Sequence, residues 1–295
     1  MYRTLHLSML VFMLSLPVAA NVDAKLVRDQ SGREVFLPDD PGRVVSLAPS
    51  ITEIVFALGE GNRVKGVTQH CDFPPEALAL PGIGSYAHPD LERIVALKPD
   101  LCIGTKDGNP RDVVERLEAL GIPVYVMNPR DLDTVVSTLV EVGQLLNAEG
   151  KARDLATGMR ARIERVKSRV AKAERRPKVF FQIGVVPIVS VGTNTFIHEL
   201  ITAAGGENTA EGPTPYPRFS REQVLALSPE VIIVTSMTRG QSFEEVRDEW
   251  RRWDSLPAVR NERIHIVESN LFDRPTPRLI EGLELLARLI HPELF

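Results

Sequence analysis

Apolar and polar positions follow two distinct patterns along this chain. Short apolar runs predict buried strands, and segments with an apolar residue every three or four positions predict the helices between them. Strands that alternate with helices indicate parallel sheets covered by helices. The predicted strands are 43–47, 64–68, 101–104, 124–127, 179–183 and 264–267, and the predicted helices are 50–58, 112–120, 132–146, 196–204, 243–253 and 278–290. A capping-box pattern, Ser50-Ile51-Thr52-Glu53, opens the first of these helices.

One pattern occurs twice, 130 positions apart. Residues 91–105 and 221–235 are identical at six of fifteen positions, and most of the other core positions exchange one apolar residue for another. Each copy predicts a short helix, a turn made of proline and an acidic residue, and a buried strand. Two such copies indicate two lobes of related design. A cleft between two lobes is where a ligand is expected to bind.

A single amphipathic helix is predicted between the two copies, at 149–176. Apolar residues recur there at helical spacing with Lys and Arg between them, and Pro177 ends the segment. Its place between the repeats predicts that it connects the lobes. The expected organisation is a first lobe at 25–146, a connecting helix within 147–177 and a second lobe at 178–295.

The composition is that of a globular protein with room for two cores, at 295 residues and 43% hydrophobic content. The net charge of −4 gives no reason to expect a nucleic-acid partner. The first twenty residues differ, because Arg3 is their only charge and an apolar run at 7–16 is followed by small residues. This predicts a secretory signal peptide at 1–20, cleaved near Ala20. The run is shorter than the ~20 apolar residues that span a bilayer.

The two cysteines of the chain, Cys71 and Cys102, both lie far from the cleavage site, so no lipidation is expected and the prediction is a periplasmic protein. They could pair in an oxidising compartment, although Cys102 lies within an apolar run that is typical of a buried free thiol. His70 and His88 match no metal-site spacing and are interpreted as loop histidines, so no metal site is predicted. Nucleophile-elbow, P-loop and zinc-protease motifs are absent from the sequence. We therefore expect a protein that is not an enzyme and carries no cofactor.

Loops that follow the strands should line the cleft. Tyr216 lies between two prolines, which makes it a stiff stacking surface for a flat ligand, or a side chain that packs its own loop. Arg274 could hold an anionic ligand edge, or form an ion pair with Asp273. The candidate ligand-binding residues are Ser50, Tyr86, Thr105, Tyr216, Asn270, Phe272 and Arg274.

Two glutamates occupy matching places in the repeat. Asp90 and Ser220 can each cap a helix, with Gln223 completing a capping box, and this puts Glu92 and Glu222 at the second helical position. Acidic residues in a first turn favour the helix dipole. The alternative interpretation is that each lobe presents one carboxylate to a partner with two-fold symmetry and basic pockets.

Several motifs in order resemble the periplasmic binding proteins of iron-chelate and vitamin B12 ABC importers. They occur at 45–53, 91–100, 204–208 and 220–225. The resemblance implies two Rossmann-like α/β lobes joined by a single long helix, the class III architecture of such proteins. It also implies a monomer that captures its ligand between the lobes, closes little, and delivers the ligand to a permease dimer with ATPase subunits. In this family, residues matching Glu92 and Glu222 dock onto permease arginines.

The nearest likeness is to the cobalamin-binding members. Tyr86 and Tyr216 stand where those members have tryptophan, and Thr105 stands where they have another. Asn270 replaces an aspartate, while Arg274 matches. The resemblance thus implies a corrinoid as transported ligand, either vitamin B12 or a cobinamide or cobamide.

The alternatives within the family are haem or a ferric siderophore, and for haem His70 or His88 could supply an axial ligand. A ligand sensor that docks on a receptor, and an enzyme of similar lobed design, are the alternatives outside transport.

Overall fold

The computed structural model describes residues 24–235 and 243–295, and the predicted signal peptide lies outside these residues. The first lobe begins with an antiparallel hairpin of β1 (Ala24–Arg28) and β2 (Glu34–Pro38). Its parallel sheet has the order β4-β3-β5-β6. The strands of that sheet are β3 (Val44–Ser46), β4 (Val64–Gly66), β5 (Leu101–Thr105) and β6 (Val124–Met127), and the helices of this lobe are α1 (Pro49–Ala57), α2 (Leu91–Ala96), α3 (Arg111–Ala119) and α4 (Leu132–Leu145).

A single long helix, α5 (Glu149–Val170), leads from the first lobe to the second. The strands of the second lobe are β7 (Lys178–Gly184), β8 (Ile188–Ser190), β9 (Glu207–Asn208), β10 (Arg218–Phe219), β11 (Val231–Val234) and β12 (Ile264–Ile266). Its helices are α6 (Phe196–Ala203), α7 (Arg221–Leu227), α8 (Phe243–Arg251), α9 (Pro257–Arg260), α10 (Ser269–Phe272) and α11 (Leu279–Ile290). The predicted fold class, two α/β lobes joined by one long helix, is confirmed.

The sheet of the second lobe is not purely parallel, which corrects the expectation from the sequence. Its parallel part, β9-β7-β11-β12, repeats the order of the first lobe. The short strands β8 and β10 extend it in antiparallel fashion. Only three residues, 185–187, join β7 to β8. A link this short makes a hairpin, because a parallel crossover needs a dozen or more residues.

The repeated sequence produces repeated geometry. After α2 and α7 the chain takes a left-handed conformation at Lys98 (φ 48°) and Ser228 (φ 51°), and a proline follows each. Proline disfavours continuation of the helix and so ends it there. The carboxylate of Asp100 then accepts the N–H of Arg43 at 2.9 Å. Glu230 accepts the first N–H of β7 in the same way, at 3.0 Å. In each lobe the acidic turn residue therefore fastens the repeat to the neighbouring strand.

The helix α5 packs on α4 of the first lobe and on α11 of the second. Its buried face consists of Ala152, Ala156, Met159, Ile163, Val166 and Val170, which belong to one apolar cluster that includes core residues of both lobes. A Cβ on Gly143 of α4 would lie 2.4 Å from the Cβ of Ala152, so the glycine permits the close approach of α4 and α5. On the other side Arg162 forms a bidentate pair with Glu284, at 2.8 and 2.9 Å. A core shared across the connector opposes large hinge motion.

Two local predictions are corrected. The connector helix ends at Val170 rather than at 176, because Arg175 pairs with Glu230 and Arg176 donates to backbone carbonyls of the second lobe. The expected capping box at Ser50 does not form, since α1 begins at Pro49 without a side-chain cap. The glutamate of that pattern, Glu53, instead accepts a hydrogen bond from Arg274 of the second lobe. Within the described residues, no helix is long and apolar enough to cross a membrane.

Candidate functional site

Three loops of the first lobe meet at the carboxyl ends of its strands through Asn109, a buried residue that the sequence analysis missed. Its side-chain oxygen accepts the N–H of Thr105 at 2.7 Å, and its amide group donates to the carbonyls of Leu47 at 2.9 Å and Tyr86 at 2.8 Å. Two residues predicted to bind ligand, Thr105 and Tyr86, are thereby held side by side. An asparagine in the loop after a predicted strand was the available signal, because Asn commonly bonds backbone groups in loops.

The two candidate tyrosines both lie near the loop 106–109. A Cβ on Gly108 would lie 3.5 Å from the ring of Tyr86, and that ring makes an edge contact with His70, with centroids 6.1 Å apart. Tyr216 of the second lobe is 41% exposed. Its partial burial and the carboxylate of Asp107 raise the pKa of Tyr216 to about 12. The structure therefore brings one tyrosine from each lobe to the same loop.

Arg274 bridges the two lobes. One guanidinium nitrogen lies 2.8 Å from Glu53 and 2.7 Å from Asp72, and the other donates to the carbonyl of His70 at 3.0 Å. The side chains of Arg274 and Glu53 are 11% and 2% exposed. Arg274 thus reaches the first lobe rather than pairing with Asp273. It is neutralised by carboxylates across the cleft.

Further groups complete this bridge. The hydroxyl of Thr276 donates to Glu53 at 3.1 Å, and Arg278 lies 3.6 Å from the same carboxylate. The guanidinium of Arg278 also stands over the ring of Phe73, 3.9 Å from its centroid. The sequence signal for this inter-lobe contact was the pair of arginines set among two prolines at 274–278, because proline fixes the backbone that carries the arginines. We call the set Glu53, Asp72, Arg274, Thr276 and Arg278 the inter-lobe cluster.

The two acids of the inter-lobe cluster respond differently to it. Burial raises the pKa of Glu53, even though Arg274 donates a hydrogen bond to it. Burial acts in the same direction on Asp72, but there the hydrogen bond and charge of Arg274 prevail and lower its pKa. Two acids and two arginines leave the cluster without a large net charge. The cleft wall at this point therefore does not present a free cation.

The three remaining candidates, Asn270, Ser50 and Phe272, differ in burial and in contacts. Asn270 donates to Asp72 at a long 3.4 Å, so it lies beside the inter-lobe cluster. Ser50, at the start of α1, is 6% exposed. The prediction that Phe272 binds ligand is corrected, because its side chain is fully buried against Phe181 in the core and does not reach the cleft.

Both cysteines are free and buried. Cys71 accepts a hydrogen bond from Thr52 at 3.2 Å, while Cys102 lies inside β5. The described part of the chain holds no group of three or more His, Cys, Asp or Glu that could bind a metal ion. His70 is partly buried beside Tyr86, whereas His88 is exposed.

Glu92 and Glu222 occupy equivalent exposed positions. Each is the second residue of its helix, α2 or α7, behind the predicted caps Asp90 and Ser220. The capping box between Ser220 and Gln223 is present. Hydrogen bonding from Ser220 lowers the pKa of Glu222, which keeps this carboxylate ionised at neutral pH.

Comparison with known proteins gives a consistent relationship. The profile of a family described as periplasmic binding protein matches residues 44–271. A vitamin B12-binding protein of Vibrio parahaemolyticus is 32% identical over 243 residues, which cover 82% of this chain and 86% of the relative.

Two solved structures resemble this chain equally closely in TM-score and sequence identity. The periplasmic vitamin B12-binding protein of Vibrio cholerae has a TM-score of 0.76 at 29% identity and covers 86% of this chain and 98% of its own. A periplasmic heme-binding protein from Roseiflexus also has a TM-score of 0.76 at 29% identity, with coverage of 86% and 99%.

Proposed function

Because the chain belongs to the periplasmic binding protein family, we propose that it captures a corrinoid between its lobes and delivers it to an ABC permease. The observation that carries this proposal is that Tyr86 of the first lobe and Tyr216 of the second both lie near loop 106–109. A tyrosine from each lobe suits a broad, flat ligand. The 32% identity to a vitamin B12-binding protein supports the same ligand class.

The charge at the cleft favours this ligand over a ferric siderophore. Recognition of an anionic chelate calls for available cations. Arg274 is engaged by Glu53 and Asp72 instead. A corrinoid carries amide side chains and needs hydrogen-bonding partners rather than a free guanidinium. We infer that the cleft accepts a ligand of low net charge.

Haem is the second candidate, on a specific observation. His70 and Tyr86 lie next to each other, and both imidazole and phenolate are ligands of haem iron. The likeness to a heme-binding structure equals the likeness to the vitamin B12-binding one.

Calorimetric titration of the mature protein with cyanocobalamin, dicyanocobinamide and haemin tests the proposal. We expect tight one-to-one binding of at least one corrinoid and weak binding of haemin. Haemin binding alone would transfer the assignment to haem and make His70 and Tyr86 the next residues to change. Failure of all three ligands would exclude both candidates and direct the search to ferric siderophores.

Replacement Tyr216→Ala is expected to weaken corrinoid binding by about tenfold or more, because it removes an aromatic contact surface that the second lobe contributes. Tyr216→Phe is the matched control, since it keeps the ring and removes only the hydroxyl beside Asp107. It should bind within a few-fold of the native protein. Equal losses in the two variants would show that the hydroxyl, and not the ring, makes the contact.

In transport, Glu92 and Glu222 are proposed to dock onto the two permease subunits, and the binding protein is proposed to act as a periplasmic monomer. Both carboxylates are exposed at the ends of equivalent helices of the two lobes. Complementary charge steers association and fixes orientation.

A further inference from the structure

Asn109 uses the polar groups of its side chain inside the protein. The side chain is buried, and its amide nitrogen donates its two hydrogens to the carbonyls of Leu47 at 2.9 Å and Tyr86 at 2.8 Å. Its oxygen accepts the N–H of Thr105 at 2.7 Å. No donor of this side chain is left for a ligand. Any effect of Asn109 on ligand binding must therefore pass through the residues that it holds.

Two glycines shape the chain around Asn109. Gly104, in β5, leaves room for the side-chain oxygen of Asn109, since a Cβ at this position would lie 3.0 Å from it. A Cβ on Gly108 would lie 2.6 Å from the hydroxyl oxygen of Thr105 and 3.5 Å from the ring of Tyr86. The two glycines thus allow a close approach that side chains at 104 and 108 would prevent.

Tyr86 depends on Asn109 for its position. It lies between β4 and α2, outside any helix or strand. Within the residues that the structure describes, the bond from Asn109 is the one hydrogen bond that Tyr86 makes. Ordering a mobile side chain or loop on binding reduces affinity, whereas a group already in place avoids that cost. The bond from Asn109 therefore fixes the backbone of Tyr86 before a ligand arrives.

We propose that Asn109 is a positioning residue for ligand capture, which raises affinity by holding Tyr86 in its binding position without touching the ligand. This inference rests on the proposed corrinoid function and deepens it. A purely structural role has a different consequence, because a protein without Asn109 would then be less stable but would bind its ligand as before once folded. The affinity of the folded protein, and the dependence of that affinity on Tyr86, separates the two roles.

The test is a double-mutant cycle in the full mature protein, with cyanocobalamin titrated by calorimetry. Asn109→Ala is expected to weaken binding by about tenfold, because Tyr86 must then be ordered during binding. In a Tyr86→Ala background the same change should weaken binding by about twofold or less, since no ring is left to position. Equal losses in the two backgrounds would overturn the inference, as would native affinity in Asn109→Ala.

The second lobe offers a matched control in Asn208. This asparagine is also buried, and its side chain makes three hydrogen bonds, at 2.8, 3.0 and 3.1 Å. It pairs with the second residue of β7, towards the amino end of that strand, whereas ligands of such folds bind at the carboxyl ends. Asn208→Ala should lower the midpoint of thermal unfolding, as Asn109→Ala does, and leave the affinity for cyanocobalamin unchanged. An equal loss of affinity in both variants would mean a general effect of lost stability and would overturn the positioning role.

Asn109→Asp provides a second variant in case the alanine variant does not fold. It keeps the volume of the side chain and the acceptor for Thr105 but loses both donors. It should also weaken binding, because a carboxylate oxygen then faces the carbonyl of Tyr86. Native affinity in this variant would overturn the inference and leave the proposed function standing. Absence of cyanocobalamin binding by the native protein, by contrast, would overturn the proposed function and this inference together.

Discussion

Changing Glu92 and Glu222 together to arginine is expected to abolish ligand uptake by cells while ligand affinity stays unchanged. The two carboxylates lie on equivalent helices of the two lobes and are exposed. Reversal of both charges turns attraction to basic pockets on the permease into repulsion, and like-charge contacts across an interface are strongly unfavourable. Uptake of radiolabelled cobalamin and calorimetric titration measure the two effects separately.

The chain offers a matched control for this experiment. Asp112 and Asp133 are also exposed, and each is the second residue of its helix, α3 or α4. Changing both to arginine alters the net charge and the helix-dipole interactions equally. We expect the control to transport normally. Uptake that persists in the glutamate variant, or that is lost equally in the control, would refute docking through Glu92 and Glu222.

Replacing Arg274 by alanine is expected to reduce the free energy of unfolding at pH 7 by about 3 kcal/mol. It leaves the buried carboxylate of Glu53 without its principal cation, and an uncompensated buried charge is strongly destabilising. The expected loss lies at the lower end of the range for a broken buried ion pair, because Arg278 remains 3.6 Å from Glu53. Urea unfolding followed by circular dichroism measures it. Ligand affinity should fall as well, since the inter-lobe cluster sets the position of both lobes.

The pH dependence of this loss has a definite sign. Without Arg274 the folded-state pKa of Glu53, already raised by burial, rises further. The Arg274→Ala variant therefore loses stability as the pH rises through the raised pKa of Glu53. Below the ordinary glutamate pKa this loss disappears, because the carboxyl is neutral in both the folded and the unfolded state. The native protein also gains from the lowered pKa of Asp72 at neutral pH and loses this gain on acidification. The difference in free energy of unfolding between the native protein and Arg274→Ala should thus shrink towards pH 4.

Two further variants check that explanation. The double replacement Glu53→Gln and Arg274→Ala removes the buried charge together with its partner, and should recover most of the lost stability. Arg111→Ala breaks an exposed pair with Glu115, whose partners are 92% and 57% exposed, and should change little. A double variant no more stable than Arg274→Ala would show that lost packing, rather than charge, causes the effect.

The sequence was sufficient for the elements that local patterns determine. The repeat at 91–105 and 221–235 predicted two helix–turn–strand units, and both take a left-handed conformation at the matching residues Lys98 and Ser228, before a proline that disfavours continuation of the helix. Apolar periodicity predicted the connector, because a helix that packs on two lobes must bury a continuous stripe. The caps at Asp90 and Ser220 were predicted from residue type alone, since those bonds close within three residues.

The tertiary structure decided where side chains with several possible partners go. Glu53 belongs to a local capping pattern but pairs with Arg274, 221 residues away, because a buried carboxylate needs a cation and Arg274 of the second lobe supplies one. Phe272 faces the core rather than the cleft, and Asn109 gathers three loops that are distant in sequence. Such partners become neighbours only after two lobes have folded and met. Local sequence determined the helices and strands of this protein, and long-range burial and charge pairing determined its cleft.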